Sequence, residues 1–474
     1  MQPTPPRSPS PSSGLIVVVL VVGLLAVFGR DALGLSATAT GSTGLLMVAV
    51  ALALVTVIDM RAGLAALVFC VGFSPEFEIS VVPNLRYEDL LMPVLCFAWL
   101  SQASRGREAF VPSPVNAPIF GVLVVAVLSS LLGVVQGYVE PVFTGFRIGK
   151  VVEYFVIFWI FVNAIRSRSE FEGLVLAILV TGGTASLAAI LGAYQGGEGG
   201  PGRAGGPEGE GSNIFGGYVM IVCALFLGMF IAARNARMKL IHAVGILLSF
   251  WAMMLTFSRT SYVALALGLV FLAILRRRAI LGWVIVLSVV FQVAMPRSIV
   301  DRAATILDIF GEKSPSSWNA RVIGWQSLSR SIFTDPLIGR GVGVVGLSAA
   351  DNEYMLQLVQ GGVLGLGVFL WMLWRQMRVC SESEQLTQGD PVAEGFSLGA
   401  SLSILCLAVH GMGATSFTSI RTMEQLMVVL GVVGALHYRY PQWQEEARKL
   451  EERDRFPVRR ALRPVLRPIP RPGL

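Results

Sequence analysis

The residues best suited to chemistry are arginines in unexpected places. Arg147, Arg203, Arg259, Arg302, Arg321, Arg330, Arg340 and Arg421 stand at the ends of apolar runs or in the polar stretches between them. A guanidinium is planar, permanently charged and able to grip two phosphate oxygens at once. Several of them around one cavity would hold a diphosphate. Arg340 also opens the stretch "GRGVGVVGLSAADNEYMLQLVQGG", residues 339–362, where glycines lead into Asp351, Asn352 and Glu353 and then an apolar helical pattern. Asp351 or Glu353 could act as a general base that takes a proton from an attacking hydroxyl. Both groups also have plainer readings. Each arginine could snorkel, or pair with Glu140, Glu153, Asp301 or Asp335. Ser348 could cap a helix with Asp351 at its third position, where acids are favoured.

Other chemistries are poorly supplied. The three histidines, His242, His410 and His437, all lie in or beside apolar runs, so no imidazole serves the polar stretch before Asp351. The five cysteines (Cys70, Cys96, Cys223, Cys380, Cys406) are scattered and show no metal or disulfide spacing. Gly341 to Gly346 fits G-x-G-x-x-G, but that fingerprint needs a βαβ unit with an acid some 20 residues on, and no such unit is present. The glycines suit a tight turn with positive φ against a ligand or a helix.

The elements that must position these groups are membrane helices. Of 474 residues, 54% are hydrophobic and 14% charged, against about 25% charged in soluble domains. The mean hydropathy is +0.68. About 20 apolar residues cross a bilayer, and about fourteen segments qualify: 14–29, 42–58, 62–74, 88–102, 116–136, 148–165, 171–193, 213–233, 239–256, 259–275, 279–295, 353–376, 394–413 and 421–437. With the N-terminus inside, the inner loops collect Arg61, Arg105, Arg107, Arg166, Arg168, Arg234, Arg237, Lys239, Arg276, Arg277, Arg278, Arg375 and Arg378, as the positive-inside rule requires. The net charge of +7 thus reports orientation and does not imply nucleic acid. Residues 1–13 form an inner N-terminal segment, and 14–295 hold the first eleven spans. A long outer loop follows at 296–352, then three spans over 353–438, then a basic inner tail at 439–474. That tail ends in "RFPVRRALRPVLRPIPRPGL", whose cations suit an anionic leaflet or a solvated end. The Gly-rich turn and the arginines named above therefore face outward, away from cytosolic nucleotides.

Four stretches resemble the O-antigen ligase and O-antigen polymerase superfamily of bacterial surface-polysaccharide synthesis. They are "GKVVEYFVIFWIFVNAIRS", "RAGGPEGEGSNIFGGYVMIV", "MLTFSRTSYVALALGL" and "NARVIGWQSLSRSIFTDPLIGRGVGVVGLSAADNEYMLQLVQGGVLGLGVFLW". The likeness covers about residues 145–375, and the last stretch is its most specific part. Ligases commonly carry His-Asn where this chain has Asp351-Asn352, and polymerases more often show Asp-Asn, so the resemblance favours a polymerase.

The resemblance implies an all-α polytopic membrane fold of GT-C-like type with one long periplasmic loop, in the bacterial inner membrane with both termini cytoplasmic. It implies an undecaprenyl-diphosphate-linked oligosaccharide as substrate, inverting transfer without a metal or cofactor, and membrane lipids, a chain-length regulator and a flippase as partners. On that reading Arg147, Arg203, Arg259, Arg321 and Arg340 grip the diphosphate. Asp351, Glu353 and Arg321 are catalytic, and Asn352, Trp318 and Trp325 touch the glycan. A ligase joining polymer to lipid A-core, or a flippase without chemistry, are the competing readings; a transporter would favour internal repeats, and none is visible.

Overall fold

Backbone amides and carbonyls find no partner in lipid, so apolar runs must close their hydrogen bonds internally as helices. The computed structural model describes residues 53–74, 77–79, 82–103, 110–195, 203–206, 211–275, 278, 281–294, 297, 300–301, 316–344 and 351–455. Its elements in chain order are α1 (Met60–Phe73), a hairpin of β1 (Phe77–Ile79) and β2 (Val82–Leu85), α2 (Tyr87–Ala103), α3 (Asn116–Val135), α4 (Pro141–Ala164), α5 (Arg168–Gln195), α6 (Ser212–Ala232), α7 (Ala236–Leu255), α8 (Arg259–Leu275), α9 (Leu281–Ala294), α10 (Ser316–Thr334), α11 (Glu353–Leu386), α12 (Pro391–His410) and α13 (Ile420–Arg455).

The fold is that of a polytopic helical membrane protein. Among the described residues, seven helices are long and apolar enough to cross a membrane, and α1 and α8 are shorter apolar helices. Every expected span from residue 62 onward carries a helix. The expected span 14–29 lies outside the described residues, as do most of 42–58 and the end of the basic tail. The expected spans from 62 onward are thus matched by position, while among the described residues only seven helices meet the full length and hydropathy of a span. Three differences matter. The polar stretch before Asp351 carries helix α10, because polar surface does not prevent a helix that packs one face. A short antiparallel hairpin joins α1 to α2. Helix α4 begins at Pro141 and not at 148, so Arg147 lies inside the helix. Glu140 explains that start: its carboxylate accepts from Val142 N at 3.0 Å, and proline suits the first helical position.

Helices α6 and α13 form the centre, with 83% and 89% of their apolar windows buried, against 28% for peripheral α3. Close approach of α6 to α12 depends on small residues: a Cβ at Gly228 would fall 2.4 Å from the backbone nitrogen of Gly399.

The two ends of the bundle separate as the charge pattern requires. At one end Arg61 pairs with Glu170 at 2.6 Å. There Arg168 Nη2 also donates to Asp390 at 2.7 Å, and Trp443 Nε1 donates to the Arg166 carbonyl at 2.8 Å. The Gly-rich turn, the starts of α4, α11 and α13 and the α1–α2 hairpin gather at the other end.

The Gly-rich turn is wedged into a broken helix. Helix α11 is interrupted at Gly362, which has φ 64° and ψ −162°. The break frees groups on both sides, and the turn pairs them. Arg340 N donates to Val359 O at 2.9 Å and Gly341 N to Gln360 O at 3.0 Å. Val363 N donates to Pro336 O at 2.8 Å and Leu364 N to Leu337 O at 3.2 Å. A Cβ at Gly362 would lie 2.3 Å from the Leu337 carbonyl. The glycines are there so that two backbones can touch.

Candidate functional site

The start of α11 assembles the site. Asn352 caps it, its Oδ1 accepting from Met355 N at 3.0 Å. The Ser348 cap therefore does not apply to this helix, and Ser348 itself lies outside the described residues. Asp351 precedes the cap at φ 38°, a left-handed conformation uncommon for aspartate and frequent at functional sites. Its Oδ2 accepts from Arg321 Nε at 3.1 Å, with side chains 36% and 19% exposed. Two expected catalytic groups therefore meet across α10 and the start of α11.

Helical spacing puts Trp318, Arg321, Trp325 and Leu328 on one face of α10. Leu328 packs on Leu356 and Val359 of α11, which fixes that face inward. The two tryptophan rings meet edge to face at 5.6 Å and 84°.

Glu353 is placed differently from the expectation of a base at the lip. It is fully buried. Its Oε2 accepts from Phe417 N at 3.0 Å, and its Oε1 accepts from Thr418 Oγ1 at 2.8 Å and Gln357 Nε2 at 2.9 Å. Its own N–H donates to Gly411 O at 2.7 Å. Both carboxylate oxygens are occupied in tying α11 to the loop between α12 and α13. Asn352 Nδ2 adds a bond to Met412 O at 3.0 Å.

Thr418 and Gln357 lead into a cavity of about 220 Å³ bounded by α3, α4, α11, the start of α13 and the Gly-rich turn. Its walls are mostly apolar, with Val122, Phe146 and Phe369 among them, and its two cations are Arg147 and Lys150 of α4. Val342 and Gly343 of the Gly-rich turn form part of the wall.

The expected arginines do not all converge here. Arg147 lines the cavity and Arg321 sits at the start of α11. Arg340 points into its own turn: Nε donates to Asp335 at 2.7 Å, Nη1 to Ser331 at 2.9 Å, and the guanidinium lies 4.6 Å from the Tyr138 ring centroid. Arg203 Nε donates to Thr256 O at 3.1 Å, at the α7–α8 turn where half-buried Arg259 begins α8. Arg421 is buried and donates to the carbonyls of Gly72 and Ser74, closing the end of α1.

Sequence reasoning missed three things. His410 bridges Ser261 Oγ at 3.0 Å and Ser416 Oγ at 2.7 Å, and Ser261 continues through Ser258 at 2.9 Å to Asn213 at 2.6 Å. Lys150 on the cavity wall is held by Asp89 and, at 2.9 Å, by Glu153. Behind it lie buried Arg86, Glu88 and Glu424. Glu424 sits just inside an apolar run; a carboxylate so placed was the available signal. Among the described residues, no three His, Cys, Asp or Glu side chains are grouped to hold a metal.

Residues 243–370 match the family model of the O-antigen ligase. The matched segment holds α8 to α10, the Gly-rich turn and the first half of α11, so it contains Arg259, Trp318, Arg321, Trp325, Arg340 and Asp351 to Glu353, while Arg147 and Lys150 lie outside it. No curated protein matches the chain. The break in α11 and the Arg321–Asp351 pair both fall within the segment that is similar to the O-antigen ligase.

Proposed function

We propose that the chain is a polysaccharide polymerase of the bacterial inner membrane, working on its periplasmic face. Its substrates are oligosaccharide repeats carried on undecaprenyl diphosphate, and its product is O-antigen or exopolysaccharide. Both termini are cytoplasmic, the substrate arrives from a flippase, and a chain-length regulator acts beside it. The observation that carries the reading is the cavity at the outer end of α4 and α11: apolar walls for a prenyl chain, with Arg147 and Lys150 for a diphosphate.

The chemistry then needs little from the protein. The hydroxyl of one lipid-linked glycan attacks the anomeric carbon of another. The bond from that carbon to the diphosphate oxygen breaks, the configuration inverts, and the proton passes to Asp351. Arg147 and Arg321 stabilise the charge that develops on the leaving diphosphate, and electrostatic stabilisation with positioning supplies most of the rate. Trp318, Trp325 and Asn352 hold the sugars. Glu353 positions Thr418 and Gln357 and takes no proton. No metal or cofactor enters the scheme.

The test is purified protein in lipid with a single lipid-linked repeat as the only glycan. A polymerase converts it to a ladder of chain lengths. A ligase leaves it unchanged until lipid A-core is added, and that outcome would overturn the proposal.

A further inference from the structure

Lys150 is the unexpected cation of the cavity. It stands one helical turn below Arg147 on the same face of α4, and both line the cavity. Its ammonium is already claimed by Asp89 and by Glu153, at 2.9 Å for the latter. Two carboxylates of this neighbourhood, Glu153 and Glu424, are poorly served. Glu153 Oε1 is buried without a hydrogen-bond partner, and both oxygens of buried Glu424 have none. The nearest cations behind them are already engaged. Arg86 lies 3.6 Å from Glu88, and Arg421 is bonded to the carbonyls of Gly72 and Ser74. The groups that face Lys150 and Glu153 are Tyr154 on α4, Asp89 and Cys96 on α2 and Glu424 on α13; Arg86, Glu88, Cys70 and Arg421 lie behind them around Glu424, and Arg147 stands beside Tyr154. Carboxylates outnumber cations in this cluster once Arg147 is turned to the cavity.

From this placement we infer that Lys150 is a binding residue for the diphosphate of a prenyl diphosphate, and that the Lys150–Glu153 pair couples anion binding to uptake of a proton. The inference rests on the reading that the cavity takes the diphosphate. An incoming anion draws the ammonium away from Asp89 and Glu153. Glu153 is then left beside Asp89, Glu424 and the new negative charge, in a low-dielectric setting where like charges are costly. Binding one proton at Glu153 relieves this. Affinity therefore rises as pH falls, and loss of the proton favours release of the spent carrier.

The experiment is calorimetric binding of farnesyl diphosphate to the full-length protein in lipid nanodiscs. It is repeated between pH 6 and 8 in buffers of different ionisation enthalpy, for the natural protein, Glu153→Gln, Lys150→Met and Arg147→Ala, each first checked for a single gel-filtration peak. At pH 8 the natural protein should take up more protons per ligand than Glu153→Gln does, with the difference shrinking toward pH 6; the comparison cancels the ligand's own titration. Glu153→Gln should bind more tightly at pH 8, with little pH dependence. Lys150→Met should bind about tenfold or more weakly, the weight of a lost charge-assisted bond. If Lys150→Met fails to fold, the comparison of the natural protein with Glu153→Gln decides alone. Equal proton uptake in those two overturns the inference. Binding that needs Arg147 while ignoring Lys150 also overturns it and leaves the cavity reading intact; binding indifferent to both overturns the cavity reading.

Discussion

Asp351 and Glu353 stand two residues apart, yet their replacements should fail in opposite ways. Glu353 is buried and accepts three hydrogen bonds, from Phe417 N, Thr418 Oγ1 and Gln357 Nε2. Glu353→Ala would orphan those donors, and a buried polar group left unsatisfied costs about 1–3 kcal/mol. Some donors would find each other or water, so a net loss of about 3 kcal/mol or more is expected. Glu353→Gln keeps one acceptor oxygen and turns two hydrogens toward existing donors, so about 1–2 kcal/mol is expected. Because Thr418 and Gln357 line the cavity, both variants should also weaken prenyl diphosphate binding. Asp351 is half-exposed and bonded to Arg321 alone among the partners named above. Asp351→Asn should leave stability within about 0.5 kcal/mol, as for an ordinary surface change, and cut turnover by roughly 10²–10⁴-fold with binding intact. Thermal unfolding in lipid, farnesyl diphosphate binding and the polymerisation ladder separate the two patterns. A stable Glu353→Gln protein that binds normally and turns over 10²-fold or more slowly would refute the reasoning, because Glu353 would then be the base.

Gly362→Ala should prevent accumulation of folded protein, since its Cβ would meet the Leu337 carbonyl at 2.3 Å at a φ of 64°; normal yield and thermal stability would refute the wedged turn. Arg321→Lys should lose most turnover because a point charge cannot replace the guanidinium fork, whereas Arg340→Ala should lower the unfolding temperature and leave prenyl diphosphate affinity unchanged. At the other end, burial pushes the Asp390 carboxyl up, but the Arg168 guanidinium prevails and holds it below the usual range. An aspartate so lowered stabilises the fold fully above about pH 4, the unfolded value, and loses that contribution as pH falls through its folded value. Asp390→Asn should therefore narrow the stability difference between pH 7 and pH 3 in thermal unfolding.

The sequence was legible where lipid leaves little choice. Apolar runs had to become helices, and the basic loops had to gather at one end, as Arg61, Arg166 and Arg168 do. The Arg321–Asp351 neighbourhood could be approached because its residues share one recognisable stretch. What stayed hidden depends on pairings that periodicity does not carry. Gly361-Gly362 falls inside the expected span 353–376, and only the turn lodged beside it shows why the helix breaks there. Glu353 looked like a free carboxylate because its partners Phe417 and Thr418 are more than sixty positions away. Lys150 falls near the start of the expected span 148–165, and nothing in that run points to its partner Asp89, which belongs to another helix. Arg340 was drawn toward phosphate by its glycine neighbours, yet Asp335 and Ser331, both in its own stretch, hold it.

The central claim is that the diphosphate of the lipid carrier lies between α4 and the first half of α11. A prenyl diphosphate carrying a photoreactive group next to the diphosphate, crosslinked to the protein in nanodiscs and mapped by peptide mass spectrometry, tests it directly. The account predicts label on the cavity walls, at residues 143–155 of α4 and 357–372 of α11, with loss of that label in Arg147→Ala. Label concentrated at the α7–α8 turn, around Thr256 to Tyr262 beside Arg203 and Arg259, with none in the cavity, would contradict it.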